Sequence, residues 1–120
     1  MKSSIENSVH YKWGNGCHSY IFLNDKNLSV KFEKMPAGTS EEKHFHKLSQ
    51  QYFFILKGEA VFEIVREDSF GEKEKIIVSA NEGIHISANT KHKIINASGS
   101  EIEFLVISQP SADGDREQSE

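Results

Sequence analysis

The sequence predicts an all-β domain, a sandwich or barrel of short strands. Three observations carry that prediction. β-branched and aromatic residues fall in short runs, separated at regular spacing by Gly, Asn, Asp and Pro turn signals. One run, Leu28–Met35, alternates with period two: Leu28, Val30 and Phe32 take one face, Ser29, Lys31 and Glu33 the other. No segment carries a convincing helical periodicity.

In chain order, residues 1–8 are polar and read as a loose arm. Val9–Trp13 alternates and is a candidate short strand; Gly14, Asn15 and Gly16 then signal a turn, and residues 17–23 resume as strand. N-D-K-N at 24–27 is a further turn, and Pro36 and Gly38 close the strand that begins at Leu28. Residues 41–46 form the next strand. Residues 51–56 are apolar on both faces after the first, which predicts burial on both sides, between the barrel interior and a second layer such as a partner subunit. Residues 60–67 are strand, 68–72 (D-S-F-G-E) a hairpin loop, and 75–79, 83–86, 91–96 and 102–108 complete the series. From Gln109 the chain is polar and acidic, and residues beyond about Arg116 are expected to lack fixed structure. The expected organisation is therefore an N-terminal arm with edge strands (1–27), a barrel (28–108) and a partly disordered tail (109–120).

Composition excludes several classes. A chain of 120 residues is one domain, able to bury roughly two-thirds of its unfolded surface. Net charge is −4 and no basic run exceeds two adjacent residues, so a nucleic-acid interface is not expected. The single cysteine, Cys17, rules out an intrachain disulfide and suits a reducing compartment. The N-terminus lacks the apolar core of a signal peptide, and no apolar run approaches a membrane span. A soluble, cytoplasmic protein is the expectation.

Chemistry concentrates around H-F-H. His44 and His46 stand two apart in a strand, so both imidazoles leave the same face. Gln51, opening the next strand, offers a side-chain oxygen that can converge with them. Neutral imidazole is the commonest protein metal ligand, which makes this a candidate metal site; the bland alternative is two solvated surface histidines. Gln50 has the opposite parity. Cys17 and His18, being adjacent on a strand, point to opposite faces and cannot readily pair; Cys17 reads as a thiol packed near Trp13. His85 is out of phase with Ile84 and Ile86 and reads as structural, with a proton donor at the barrel mouth as the alternative, and His10 reads as an ordinary strand histidine. Phe32, Phe53, Phe54, Phe62 and Phe104 read as core or dimer interface, and Tyr20 and Tyr52 as candidates to place a hydroxyl in a pocket.

The spacing of Gly38, His44, His46, Gln51 and Gly58 resembles the first motif of the cupin family, with Gln51 where that family usually has Glu. The segment N-E-G-I-H-I-S-A-N-T-K-H-K-I-I-N, from Asn81 to Asn96, resembles the second motif and supplies His92 and Asn96. Asn81 and Asn89 stand in for its glycines and Ser87 for its proline. Asn enters the left-handed backbone region at modest cost, so those turns can survive. The resemblance spans residues 28–107.

It implies a jelly-roll β-barrel in which His44, His46, Gln51 and His92 meet at the mouth, His92 arriving from an opposite strand. It further implies one divalent metal ion (Zn, Mn, Fe or Ni), a small-molecule ligand, and a homodimer formed through sheet faces and N-terminal strands. Three imidazoles and an amide leave the metal charge uncompensated, giving weaker binding but a stronger Lewis acid. Alternatively Gln51 only holds a site water. The implied function is to bind or act on a small polar molecule, sugar-like or a carbonyl or carboxylate compound, with the metal as Lewis acid in an isomerase-like reaction. Competing readings are a non-catalytic binding or sensing module and an Fe-dependent dioxygenase. Gln51 cannot serve as the general base that a Glu could provide, so the sequence leaves open whether this is an enzyme.

Overall fold

The computed structural model describes residues 2–65 and 71–119, and among them the chain forms eleven strands and no helix. These are β1 (Val9–Trp13), β2 (Cys17–Asp25), β3 (Leu28–Met35), β4 (His44–His46), β5 (Gln50–Lys57), β6 (Glu59–Val65), β7 (Lys73–Ser79), β8 (Gly83–Ile86), β9 (His92–Ile95), β10 (Ile102–Gln109) and β11 (Arg116–Gln118). The expected strand over 60–67 is present as far as Val65. Its last two residues and the hairpin loop expected from 68 fall largely outside the described residues.

Two antiparallel sheets face each other, as a jelly-roll barrel requires. One has six strands in the order β1-β2-β3-β10-β5-β8, the other five in the order β11-β4-β9-β6-β7. The strand order shows why chain neighbours part company: β4 lies in the smaller sheet and β5 in the larger. The core fills the space between, with Met35, Ile55, Phe62, Ile102 and Phe104 each fully buried. Phe53 packs against Phe62 with ring centroids 5.0 Å apart, within the range for favourable edge contacts.

The turns follow the backbone chemistry expected of their residues. Asn81 and Asn89 adopt φ of 69° and 65°, so asparagine does serve where the family pattern has glycine. Gly58, between β5 and β6, has φ of 88°, and a Cβ there would lie 2.7 Å from Ile102 Cγ2. No L-residue replaces it without strain. Asn96 is fully buried just beyond β9. Its Nδ2 donates to the carbonyls of Met35, Pro36 and Ser100, and its Oδ1 accepts from Ser98.

On β5, Gln51, Phe53 and Ile55 point inward, whereas Tyr52 and Leu56 are 42% and 43% exposed, so theirs is the face that the expected second layer would cover. The structure corrects one expectation: the C-terminal tail does not lose structure at Arg116. Residues Arg116–Gln118 form β11 and pair with β4 in the register Arg116↔His46, Glu117↔Phe45 and Gln118↔His44. Composition signals a lack of apolar payload, but backbone hydrogen bonding to an open sheet edge requires none.

Parity also runs against first intuition in β3. Its polar side, Ser29, Lys31 and Glu33, faces the barrel interior together with Met35, and its apolar side, Val30 and Phe32, faces out. Phe32 is nonetheless only 7% exposed, because Tyr20 and Phe22 flank it on the outer surface at ring-centroid distances of 6.1 and 6.0 Å.

Candidate metal centre

β4 and β9 are neighbours, and His44 pairs directly with His92 across them. His46, two residues along β4, shares the inward face. The three rings gather with centroids 4.4 Å (His44–His92), 5.0 Å (His44–His46) and 5.9 Å (His46–His92) apart. One ring nitrogen from each lies within 4.8 Å of the others. His92 is therefore beside the pair in the same sheet, not opposite it as expected. Gln51 is the residue that comes from across the barrel, on the first inward position of β5.

Each histidine has its tautomer set by a main-chain carbonyl. Glu42 O lies 2.9 Å from His44 Nδ1, Asp115 O 3.0 Å from His46 Nδ1 and Thr90 O 2.7 Å from His92 Nδ1. A carbonyl oxygen only accepts, so each Nδ1 carries the proton and each Nε2 keeps its lone pair. Such bonds are the usual outer support of a metal-ligating imidazole. His46 Nε2 and His92 Nε2 are buried without any hydrogen-bond partner, and so is Gln51 Oε1. The Gln51 amide is oriented by its Nε2, which donates to Ser108 Oγ at 3.0 Å and leaves the oxygen unused. Gln51 also lies near enough to His46 to push the histidine's pKa upward, though no well-formed hydrogen bond joins them. Buried acceptors without donors cost about 1–3 kcal/mol each. Three of them in one site fit a cation.

The electrostatics agree. Burial is the main cause that holds all three imidazoles neutral: His44 is lowered to about 3 and His92 to about 4, and His46 is lowered as well. The guanidinium of Arg116 adds to this at each of them. A neutral imidazole is the form that binds a metal.

His44, His46 and Gln51 line a cavity of about 880 Å³ whose far side is polar. Tyr11, Trp13, Lys31 and Glu33 line it from the larger sheet, and Glu41, Asp113 and Arg116 from the other side. Lys31 Nζ donates to Tyr11 Oη at 3.1 Å and lies 3.7 Å from Asp113 Oδ1. Burial raises the Glu33 pKa above the ordinary carboxylate value; the Ser19 hydroxyl, which hydrogen-bonds its Oε2, opposes this. The buried Trp13 Nε1–H makes no well-formed hydrogen bond but sits close enough to favour the Glu33 carboxylate. Burial also pushes Glu41 up to about 8, against the pull of Arg116, whose Nη1 is 3.8 Å away, and of the Ile94 N–H.

Sequence reasoning missed Glu33, Glu41, Lys31, Tyr11, Arg116 and Asp115. The alternation of β3 is visible in the sequence, but period two does not say which face turns inward. Cys17, His18 and His85 behave as read, whereas the two tyrosine candidates for the pocket do not. Cys17 is fully buried with its thiol 3.8 Å from Thr39, while His18 points outward and bonds His10 at 2.7 Å. His85 bonds Gln50 on the outer surface. Tyr20 and Tyr52 do not line the cavity.

The sequence pattern of the cupin domain matches residues 31–108, more than half of the chain. This chain belongs to the cupin family. No curated protein matches it in sequence. Among solved structures it is similar to oxalate decarboxylase from Bacillus subtilis, with a TM-score of 0.82 and 18% identity over 97% of this chain and 31% of that one. It thus spans about a third of that protein's length. It is also similar to PAC13 from Streptomyces in complex with uridine (TM-score 0.79, 16% identity, 99% and 90% of the two chains). A double-stranded β-helix protein from Klebsiella pneumoniae gives 0.78 at 14% identity over 99% and 96%. At these identities the likeness establishes the cupin fold.

Proposed function

We propose that this cupin binds one divalent metal ion through His44, His46 and His92, with Gln51 Oε1 as fourth ligand, and that it acts on a small polar carbonyl or hydroxy compound. The observation that carries the reading is the gathering of three tautomer-fixed imidazoles with one ring nitrogen each within 4.8 Å. Two of their Nε2 atoms are buried without a partner, as is the Gln51 Oε1 near His46. A nitrogen-rich set with one neutral oxygen suits borderline ions such as Zn, Fe, Ni or Mn. Similarity to a protein with Mn(II) centres, the Bacillus oxalate decarboxylase, is compatible with the last of these. When bound, such an ion supplies a Lewis acid that polarises a ligand carbonyl.

An isomerase-like reaction also needs a group that moves a proton, and Glu33 supports that role. Its carboxyl lines the same cavity as His44, His46 and Gln51, and burial raises its pKa above the ordinary carboxylate value. Lys31 and Tyr11 beside it are placed to orient ligand oxygens. This arrangement favours a catalyst over a passive binding module, and the neutral Gln51 in place of Glu disfavours analogy with dioxygenases that use a glutamate.

The test is Gln51→Glu. A carboxylate beside the metal adds charge compensation, so the variant is expected to bind Zn or Mn more tightly, by roughly tenfold or more after desolvation costs. Isothermal titration measures it. Unchanged affinity in Gln51→Glu, with binding lost in the histidine variants, would make this a three-histidine site.

We further propose that the protein is a cytoplasmic homodimer. The outer face of the larger sheet aligns Tyr20, Phe32, Leu105 and Phe54 across four strands, and on the same face of β5 Tyr52 and Leu56 are 42% and 43% exposed. A second copy is the simplest cover. Light scattering at micromolar concentration is expected to give the dimer mass; a monomer would rule this out.

A further inference from the structure

The C-terminal segment crosses the site. β10 ends in the larger sheet and β11 lies in the smaller, so residues 110–115 bridge the two over the cavity that holds the histidines. The bridge is tied at several points. Ser49 Oγ donates to Pro110 O at 2.7 Å, Ser111 N to Lys26 O at 3.0 Å, and Asp115 N to Ala112 O at 3.0 Å. Gly114, with φ of 75°, makes the turn that presents Asp115.

Asp115 makes two kinds of contact, both directed at the site. Its main-chain carbonyl accepts the Nδ1 proton of His46. Its carboxylate accepts three successive backbone N–H groups: Lys47 on Oδ1 at 3.0 Å, and Leu48 and Ser49 on Oδ2, each at 2.9 Å. Those three residues are the whole connection between His46 at the end of β4 and Gln50 at the start of β5. This connection also carries the chain from one sheet to the other, and it separates His46 from Gln51. Three adjacent N–H groups aimed at one anion form a nest that fixes local backbone shape. Charge-assisted bonds of this kind are about twice as strong as neutral ones.

We infer that residues 110–119 form a positioning strap for the histidine site, with Asp115 as its anchor. The carbonyl sets the tautomer and ring orientation of His46, and the carboxylate sets the loop that spaces His46 from Gln51. Asp115 is a positioning residue: it acts through His46 and the 47–49 connection. As far as metal affinity is concerned, the inference rests on the metal reading proposed above; the His46 geometry does not.

The experiment compares wild type with Asp115→Ala and Asp115→Asn, using two probes. The first is long-range ¹H–¹⁵N NMR of the histidine rings in metal-free protein, which reports tautomers directly. Wild type is expected to show His44, His46 and His92 all as Nδ1–H. Asp115→Ala keeps the main-chain carbonyl but loses the three N–H bonds that anchor it. The carbonyl is therefore expected to shift off Nδ1 and the His46 signals to move toward a tautomer mixture, while those of His92, held by Thr90, stay in place. The second probe is Zn²⁺ affinity by chelator competition. It is expected to fall about tenfold in Asp115→Ala, the range seen when outer supports of metal ligands are removed, and less in Asp115→Asn, which keeps one acceptor oxygen. Should Asp115→Ala fail to fold, Asp115→Asn gives the same readouts at smaller amplitude. A wild type that binds no Zn²⁺ overturns the metal reading and leaves the strap to the NMR result. His46 signals unchanged in both variants overturn the strap.

Discussion

Replacing Asn96 with alanine is expected to destabilise the protein by about 3 kcal/mol and to lower its melting temperature by roughly 10 °C. The side chain is fully buried and works at a junction of three segments. Its Nδ2 donates to Met35 O and Pro36 O, where β3 ends, and to Ser100 O before β10. Its Oδ1 holds the Ser98 N–H and hydroxyl. Alanine removes all of these while leaving the main-chain pairing with Thr39 and Gly38 in place. Buried groups deprived of a partner cost about 1–3 kcal/mol each, and water can reach only part of this junction. Asn96→Asp should not rescue, because a carboxylate cannot donate to the three carbonyls. Thermal unfolding by circular dichroism measures the effect; a shift under about 2 °C would mean that the turn holds without the amide.

Much of this was legible before any coordinates. The period-two alternation placed His44 and His46 on one face, and turn chemistry identified Asn81 and Asn89 as residues able to take positive φ. Family spacing singled out His92 and Asn96. Three things were not legible, each for a physical reason. The partners of β4 depend on how the sheets close, so it was hidden that His92 lies beside His44 and Gln51 lies across the barrel. Alternation fixes relative but not absolute facing, so it was hidden that the face of β3 carrying Lys31 and Glu33 is the one that lines the cavity. The tail looked disordered because its stabilisation comes from backbone pairing and the Asp115 carboxylate, neither of which has a hydropathy signature.

The second large effect concerns His92. His92→Ala is expected to weaken metal binding by about a hundredfold or more. Zinc sites in small proteins bind with on the order of 10 kcal/mol shared among three or four ligands, which leaves roughly 3 kcal/mol for one imidazole. The same variant should alter acid stability in metal-free protein. The folded-state pKa of His92 is about 4, below the ordinary value of 6.5, so between those values the unfolded chain binds the extra proton. Stability is therefore complete above about pH 6.5 and is lost as pH falls through that window toward 4. His44, lowered to about 3, extends the loss further down. Removing His92 takes away its part of the acid-driven loss, so metal-free His92→Ala should unfold less steeply from pH 6.5 to 4. A denaturant series at several pH values tests the slope, and titration with Zn²⁺ tests the affinity.

The central claim is that three neutral imidazoles at the mouth of this barrel hold a metal ion. The most direct measurement is elemental analysis of the protein purified without a histidine tag, equilibrated with a slight excess of Mn²⁺ or Zn²⁺ and then desalted, beside a His44→Ala, His46→Ala double variant treated identically. The account predicts one ion per chain in the wild type and none in the double variant. Equal metal content in the two, or no retained metal in either, would contradict it.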